Sequence, residues 1–312
     1  MPEQRPAVSV IAAVHDEASN VEELVQRTRT TMDRTGDAFE IVLVDDGSRD
    51  ETATILRRLE AADARIQVYE LTRNFGQNAA LACGLFAARG DAIVTLDADL
   101  QNPPEEIPKL LGALASTSVA TGRRATRYEG WLRWFASRSL HWLACWVTGV
   151  WIQDFGGNFK AYRREVIDAL RKLWAPPKHL FAMALQLGFS VSEVTVRHDP
   201  RKHGHSQYTV ASVLWININY LSAHTTLPLF TPGVIGACGM VVGAAGAAWC
   251  WSARDPHGLI AAVFLTLFVA GAPLCTAGAL GLYVRRIHRR SVGGMPPFVL
   301  KAGPRRARVC DR

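Results

Sequence analysis

Two aspartates separated by one residue form the strongest chemical pattern in the chain. Asp97-Ala98-Asp99 follows the short apolar run Ala92–Leu96, and Gln101 stands two residues further on. At the end of a strand, two carboxylates at this spacing can share a divalent cation, and Gln101 supplies a further oxygen. Hard oxygen ligands favour Mg²⁺ or Mn²⁺, which proteins usually bridge to substrate phosphates. The pattern therefore predicts a metal-dependent site for a phosphate-containing substrate.

Two more acidic groups also follow apolar runs. His15-Asp16-Glu17 comes after Val8–Val14, and Asp45-Asp46-Gly47-Ser48 comes after Phe39–Val44. The carboxyl ends of parallel strands lie at one edge of a sheet, where ligands bind. One acidic strand end would be ordinary turn chemistry, whereas three of them indicate a site. We therefore expect all three groups to line one crevice.

The elements that must position these groups alternate along the first part of the chain. Apolar runs too short for helices are followed by segments of helical periodicity, such as Val21–Met32. Ser19 with Glu22, and Ser48 with Glu51, have the spacing of capping boxes and predict where two helices begin. This alternation predicts an α/β fold with a mostly parallel sheet that helices cover on both faces.

Composition excludes several classes of protein. The 312 residues are 49% hydrophobic and 20% charged, which excludes a disordered or collagen-like chain. Six cysteines without a CxxC pair argue against a zinc ribbon or a disulfide framework and favour a reducing compartment. No basic segment followed by a long apolar stretch opens the sequence, so we expect no signal peptide.

The net charge of +7 is concentrated at one end of the chain. Residues 285–312 carry a net charge of +8, so the other 284 residues sum to −1. A basic body that binds nucleic acid is therefore excluded, and we expect no nucleic-acid partner. The basic tail should instead meet anionic lipid headgroups.

Two long uncharged stretches predict a hairpin of transmembrane helices. Pro232–Trp251 and Leu259–Val284 contain no charged residue, and each is long enough to cross a bilayer core. The arginines that follow the second stretch place both ends of the hairpin in the cytoplasm by the positive-inside rule. Gly239 and Gly243 form a small-residue pair that would permit close helix contact, so a homo-oligomer is expected. The alternative is a pair of buried helices in a soluble protein.

A segment rich in tryptophan and arginine predicts contact with the membrane surface. Residues 131–151 hold five tryptophans, interleaved with Arg133, Arg138 and His141. Mixed aromatic and basic helices lie at membrane interfaces, where the basic side chains can bind a lipid phosphate. Core tryptophans with a solvated basic face are the alternative interpretation.

Taken together, four motifs resemble those of the family 2 glycosyltransferases, which have the GT-A fold. They are His15-Asp16-Glu17, Asp45-Asp46-Gly47-Ser48, Arg73-Asn74-Phe75-Gly76-Gln77 and Asp97-Ala98-Asp99-Leu100-Gln101. Within that family the chain is similar to bacterial polyprenyl-phosphate glycosyltransferases, which are relatives of dolichol-phosphate mannose synthase. Segments Asp97–Ile107 and Asp154–Arg164 are most similar to those of the transferases that move 4-deoxy-4-formamido-L-arabinose to undecaprenyl phosphate.

This resemblance implies a membrane enzyme that moves a sugar from a nucleotide-sugar, most simply a UDP-sugar, to undecaprenyl phosphate with inversion and with Mg²⁺ or Mn²⁺. It implies an inner-membrane, multi-pass protein whose catalytic domain faces the cytoplasm. The expected divisions are a GT-A catalytic domain over 1–205, interfacial helices over 206–230, transmembrane helices over 231–251 and 259–284, and a basic cytoplasmic tail over 285–312.

The resemblance also implies roles for single residues. The nucleotide-sugar-binding positions are Ala13, His15, Glu17, Val44, Asp46, Arg73, Asp97, Ala98 and Gln207. The metal ligands are Asp97, Asp99 and Gln101, and the catalytic positions are Asp99, Asp154 and Arg201. Arg124 matches an arginine that meets the acceptor phosphate. The expected lipid-phosphate-binding positions are therefore Arg124 together with Arg127 and the interfacial Arg133 and Arg138.

Three departures from the family pattern bear on specificity. Ala13-Val14-His15 stands where the family has a proline and a tyrosine, and Gln207 stands where it has a lysine. Gly157 and Asn158 stand where the arabinose transferases carry other residues, so the sugar could differ.

Other functions have less support from the sequence. Neither GxGxxG nor GxxxxGK[ST] nor GxSxG follows a predicted strand, which disfavours dehydrogenases, P-loop enzymes and nucleophilic hydrolases. A processive polysaccharide synthase would carry Gln-x-x-Arg-Trp, but Gly130 stands three residues before Arg133. Transfer to another membrane lipid and a non-catalytic sugar-nucleotide-binding subunit stay open as alternatives.

Overall fold

A computed structural model describes most of the first 200 residues and isolated later positions. The described residues are 5–124, 142, 145–146, 148–154, 157–172, 180–199, 238, 241, 262, 265–266, 269, 273, 276–284, 287 and 299–302. The elements in chain order are β1 Val8–Val14, α1 Val21–Thr35, β2 Phe39–Asp45, α2 Thr52–Ala62, β3 Ile66–Leu71, α3 Gln77–Ala87, β4 Ala92–Asp97, a 3-10 helix Pro104–Glu106, α4 Ile107–Ala113, β5 Val119–Arg124, β6 Lys160–Arg163, α5 Arg164–Lys172, α6 Leu180–Gln186, β7 Val191–Val196 and β8 Val299–Ala302.

The strands form one sheet in the order β7-β5-β6-β4-β1-β2-β3-β8. Its centre is parallel, because β1 pairs in parallel with both β2 and β4, and β2 pairs in parallel with β3. β6 runs antiparallel between β4 and β5, while β7 is parallel to β5. The predicted α/β fold with a mostly parallel sheet is confirmed, and the carboxyl ends of β1, β2 and β4 meet at one edge.

Helices cover both faces of the sheet, which explains why the central strands are apolar at nearly every position. Val10 and Val14 of β1 pack with α1, α2 and α4 on one face. Ile11 and Ala13 pack with α3, α5 and α6 on the other face. We call these the α1 face and the α3 face. All seven residues of β1 are buried, so this strand is held rigidly beneath the loop that follows it.

Both predicted capping boxes are wrong. Helix α1 begins at Val21 with Asn20 at the N-cap position, and α2 begins at Thr52 with Glu51 at that position; neither cap residue makes a side-chain cap hydrogen bond. Ser48 instead donates its hydroxyl to the carboxylate of Asp45 at 2.5 Å. The serine that the spacing assigns to a helix start is therefore part of the loop after β2.

The last strand was not predicted from the sequence. Residues 299–302 form β8, which pairs antiparallel with β3 so that Leu71 lies opposite Val299 and Glu70 opposite Lys301. The chain divides into two compact units, Met1–Gln207 with Met295–Arg312, and Tyr208–Gly294. A segment inside the predicted tail thus belongs to the same unit as the sheet.

Among the described residues, no helix combines the length and the apolar composition needed to span a bilayer. The predicted interfacial segment 206–230 lies wholly outside those residues, and the predicted interfacial segment 131–151 and span 231–251 lie largely outside them. Of the predicted span 259–284, the structure describes residues 262, 265–266, 269, 273 and 276–284.

Candidate active site

The three acidic groups line one pocket at the carboxyl edge of the sheet. Its volume is about 230 Å³. The lining residues come from the ends of β1, β2 and β4 and from the start of α3, and they are Ala13, Val14, His15, Glu17, Asp46, Asn74, Gly76, Gln77, Asp97, Ala98 and Asp99. The pocket is therefore the crevice that the sequence pattern predicts.

The turn after β4 is held in an uncommon backbone conformation. Leu100 is 3% exposed and has a φ of +59°, in the left-handed region that leucine rarely adopts. Burial of its side chain holds the residue there, and such strain is often found at functional sites. The N–H of Gln101 donates to Oδ1 of Asp99 at 3.2 Å, so the two predicted metal ligands lie within one tight turn.

Three neutral amide side chains hold the carboxylate of Asp97. Its Oδ1 accepts hydrogen bonds from Nε2 of Gln77 at 2.8 Å and from Nδ2 of Asn158 at 3.0 Å. Its Oδ2 accepts one from Nδ2 of Asn102 at 3.2 Å. A carboxylate offers about four acceptor positions, so amides take up most of them without neutralising the charge. The arrangement fixes the orientation of the Asp97 carboxylate.

The segment that follows β7 is attached to the same turn. The N–H of Asp199 donates to the carbonyl of Gln101 at 2.9 Å. Nδ1 of His198 lies 3.3 Å from Oδ1 of Asn102, the residue whose amide also binds Asp97. The chain that leads toward Arg201 therefore starts from the turn that carries Asp99 and Gln101.

At the end of β2, Asp46 holds the loop between β3 and α3. Its two carboxylate oxygens accept the N–H groups of Phe75 at 2.7 Å and of Gly76 at 2.9 Å. Burial raises the pKa of Asp46, and these two hydrogen bonds oppose the rise. Gly47 has a φ of +67°, and a Cβ there would lie 2.6 Å from the carbonyl carbon of Arg73, so only glycine fits. The close approach brings the Asp46 and Arg73 loops together.

The end of β1 is tied to the loop after β2. Asp16 has a φ of +53°, and its Oδ1 accepts the N–H of Arg49 at 2.7 Å. The N–H of Glu17 donates to Oγ1 of Thr52 at 3.0 Å, and its carboxylate accepts Nδ2 of Asn20 at 2.6 Å. These bonds direct the side chain of Glu17 to the pocket rim.

A second group of polar residues lies beyond β4, on the strands β5 and β7 and in the segment that precedes β6. Asp154 is 1% exposed, and Oε1 of Glu193 accepts the backbone N–H groups of Gln153 at 2.7 Å and Asp154 at 3.0 Å. Arg123 donates to Oε1 of Gln153 at 2.7 Å and to Oγ1 of Thr195 at 2.8 Å. Glu193 therefore positions the segment that carries Asp154.

Within the described part of the chain, Arg123 donates its hydrogen bonds to neutral oxygens and forms no ion pair with a carboxylate. Its guanidinium has five N–H donors, of which these two hydrogen bonds use two. Residues alternate between faces along a strand, so Arg123 shares the α3 face with Thr121. The family resemblance implies a role for Arg124 but none for Arg123.

The structure does not bring together all the predicted site residues. Val44 is fully buried in the core on the α3 face, and the guanidinium of Arg73 lies 4.4 Å from the ring of Phe75; neither residue lines the pocket. Arg127, Arg133, Arg138, Arg201, Gln207 and the side chain of Arg124 lie outside the described residues.

Sequence reasoning missed the roles of Gln77, Asn102, Arg123 and Glu193. Strand alternation would have placed Arg123 on the face of Asp97. Gln77 and Glu193 bind partners remote in sequence, so no local pattern reveals them, whereas Asn102 lies only five residues from its partner Asp97.

Residues 9–171 match the family described as glycosyl transferase family 2. The chain belongs to this family and is a glycosyltransferase, as the motifs predict.

Individual relatives agree with this assignment over nearly the whole chain. This chain is 35% identical over 318 residues to the undecaprenyl-phosphate 4-deoxy-4-formamido-L-arabinose transferase of Pseudomonas paraeruginosa. The match covers 95% of this chain and 91% of that protein. It is 36% identical over 312 residues to the protein of the same name from Pseudomonas fluorescens, covering 94% and 89%. The resemblance drawn from the motifs is thereby confirmed.

A solved structure supports the GT-A-like fold. Glucosyl-3-phosphoglycerate synthase from Mycobacterium tuberculosis, solved in complex with phosphoglyceric acid, matches with a TM-score of 0.50 and 17% identity, covering 70% of this chain and 78% of that one.

Proposed function

We propose that this glycosyltransferase moves one sugar from a nucleotide-sugar to undecaprenyl phosphate. The observation that carries the proposal is the convergence of the Glu17, Asp46 and Asp97–Asp99 groups in one pocket. The names of the relatives supply the acceptor and the candidate sugar, 4-deoxy-4-formamido-L-arabinose.

The order of the strands supports an orientation for the donor. Five neighbouring strands of the sheet lie in the order β2, β1, β4, β6 and β5. The nucleoside would lie at the ends of β2 and β1, against Asp46 and Glu17. The diphosphate would then lie at the end of β4, against the Asp99 turn, and the sugar beyond it toward β6 and Asp154.

A divalent cation belongs to this reaction, and the residues present fit one. Asp99 and Gln101 provide a carboxylate and an amide oxygen in one turn, which are ligands that Mg²⁺ and Mn²⁺ accept. Among the described residues, no three His, Cys, Asp or Glu side chains are grouped to hold a metal. When bound, the cation would neutralise the diphosphate leaving group.

The acceptor needs little help from a general base. A lipid phosphate is already anionic at neutral pH, so one of its oxygens can attack the anomeric carbon directly. The bond between that carbon and the diphosphate oxygen breaks, and the nucleoside diphosphate leaves with the electron pair, so the anomeric configuration inverts. In this scheme the buried Asp154 orients the sugar, and Arg201 balances charge on the leaving group.

Cationic side chains would receive the acceptor phosphate. Arg123 is one candidate, because three of its five N–H donors are unused by the described residues and can form a forked contact with a phosphate. Arg124, Arg127, Arg133 and Arg138 are the others. The layout proposed for the enzyme is a cytoplasmic catalytic domain on two inner-membrane spans, assembled as a homo-oligomer.

Replacement of Asp99 tests the cation site. Sugar transfer to undecaprenyl phosphate in detergent micelles would be measured for the unmodified protein and for Asp99→Ala, with Mn²⁺ or with EDTA. We expect Asp99→Ala to lose transfer to the level seen with EDTA while its thermal unfolding is unchanged. An Asp99→Ala protein that transfers normally would contradict the assignment.

A further inference from the structure

We propose that Asn158 binds the sugar of the donor and helps to determine which sugar the enzyme accepts. This inference rests on the proposed transfer of a sugar from a nucleotide-sugar.

The orientation of the Asn158 side chain follows from its contact with Asp97. Nδ2 of Asn158 lies 3.0 Å from Oδ1 of Asp97. A carboxylate only accepts hydrogen bonds, so the NH₂ group must face Asp97 and the carbonyl Oδ1 must point away from it. Within the described residues no protein group donates to that Oδ1. The half-buried side chain therefore presents an acceptor atom next to the aspartate pair.

The backbone on either side holds this orientation. The carbonyl of Asn158 accepts the hydroxyl of Thr95 on β4 at 2.5 Å. The carbonyl of the next residue, Phe159, accepts the N–H of Gly122 on β5 at 2.9 Å, and Phe159 is 1% exposed. Asn158 is thus fixed between β4 and β5, as a residue must be to discriminate between ligands.

The order of strands places Asn158 where the sugar would lie. The pocket lined by β1, β2 and β4 ends at Asp97 and Asp99 on its β4 side. Asn158 precedes β6, the next strand of the sheet, and Asp154 lies four residues before it. If the nucleoside lies against Asp46 and the diphosphate against Asp99, the next group of the donor lies against Asn158.

The chemistry of the amide indicates what Asn158 would select. Oδ1 accepts a hydrogen bond, so it fits a sugar that presents a hydroxyl or an N–H at that point. A site built to bind such a group rejects analogues that lack it, because its own polar atom is then left without a partner. An apolar side chain at this position would remove that discrimination.

The test compares Asn158→Leu with Gln77→Leu. Both changes remove one amide donor from the same oxygen of Asp97. Both should therefore weaken the binding of UDP, which is used as the probe because it carries no sugar. kcat/KM would be measured with undecaprenyl phosphate and a panel of UDP-sugars that differ at single hydroxyl or amino groups. We expect the ratio between the best and the poorest donor to change about tenfold in Asn158→Leu and to stay within about twofold in Gln77→Leu.

Equal donor ratios in Asn158→Leu and the unmodified protein would overturn the inference while leaving the proposed function intact. A shift of equal size in both variants would also overturn it, because the effect would then come through Asp97. Asn158→Ser, which removes the amide without adding apolar volume, replaces Asn158→Leu if the latter does not fold. If the unmodified protein transfers no sugar from any donor, the proposed function fails and the inference fails with it.

Discussion

Asp46 and Asp97 show how differently the fold can use two carboxylates at neighbouring strand ends. Asp97 is surrounded by amide side chains, whereas Asp46 is 3% exposed and accepts backbone N–H groups from Phe75 and Gly76. Asp46 thus shapes the loop between β3 and α3, and Asp97 is held at the turn after β4.

The raised pKa of Asp46 predicts a pH dependence of stability. A carboxyl whose pKa lies above its ordinary value of 3.8 in the folded protein binds its proton more tightly when folded. Its contribution to stability is therefore present below about pH 4 and is lost as the pH rises through the folded value. We expect the difference in the free energy of unfolding between the unmodified protein and Asp46→Asn to shrink as the pH rises from about 4 to about 7.

Thermal unfolding across that pH range measures this difference, with the exposed Asp37→Asn as the control. A difference that grows with pH would show that the folded protein stabilises the ionised form of Asp46, contrary to the burial argument.

At the scale of elements, the strands that the sequence predicts well are those at the centre of the sheet. β1 runs over Val8–Val14 as the apolar run indicates, and β2 and β4 each extend one residue beyond the prediction, into Asp45 and Asp97. Because these strands are buried on both faces, each is a continuous apolar run that predicts a strand from the sequence alone. The antiparallel insertion of β6 between β4 and β5 was not predicted, because strand order depends on pairing between residues that are far apart in the chain.

Because sequence patterns are local, they predict only those parts of the site whose residues lie close together in the chain. Local spacing identifies Asp97, Asp99 and Gln101, and the resemblance identifies Asp154. The contact of Asn158 with Asp97 joins positions 61 residues apart. Such contacts follow only from the assembled sheet.

Arg123, near the end of β5, leads to a prediction about binding of the acceptor lipid phosphate. Arg123→Gln removes the charge but leaves a side chain that can still bind Gln153 and Thr195. We expect the KM for undecaprenyl phosphate to rise about tenfold, since a charged hydrogen bond is lost, and the KM for the nucleotide-sugar to stay within about twofold. Steady-state kinetics in micelles measures both values.

Arg34→Gln removes the same charge from the last turn of α1 and is the control for net charge. An unchanged KM for the lipid in Arg123→Gln, or a rise in the KM for the donor instead, would assign Arg123 to holding β5 against β7.

At the scale of the whole molecule, the chain returns to the sheet after its second unit. Met295–Arg312 belongs with the first 207 residues, and β8 extends the sheet along β3. β3 leads into the loop that Asp46 holds, so we expect β8 to stabilise the sheet edge next to the Asp46 end of the pocket.

Truncation tests this role of the C-terminal segment. A chain ending at residue 298 lacks β8, whereas a chain ending at residue 302 keeps it. We expect the shorter chain to have a Tm roughly 5 °C lower, because several backbone hydrogen bonds are lost, and to bind UDP several-fold more weakly. If the two truncated proteins unfold at the same temperature, β8 does not stabilise the sheet.

The central claim, transfer of one sugar from a nucleotide to a lipid phosphate, is tested most directly by analysing the product. The detergent-purified protein would be incubated with undecaprenyl phosphate and each of a panel of UDP- and GDP-sugars, with Mg²⁺ or Mn²⁺ and separately with EDTA. Mass spectrometry of the lipid fraction should find undecaprenyl phosphate carrying a single sugar from one donor when the metal is present, and none with EDTA. A correctly folded protein that forms no such product from any donor, or that glycosylates a diacylglycerol or ceramide instead, would contradict the claim.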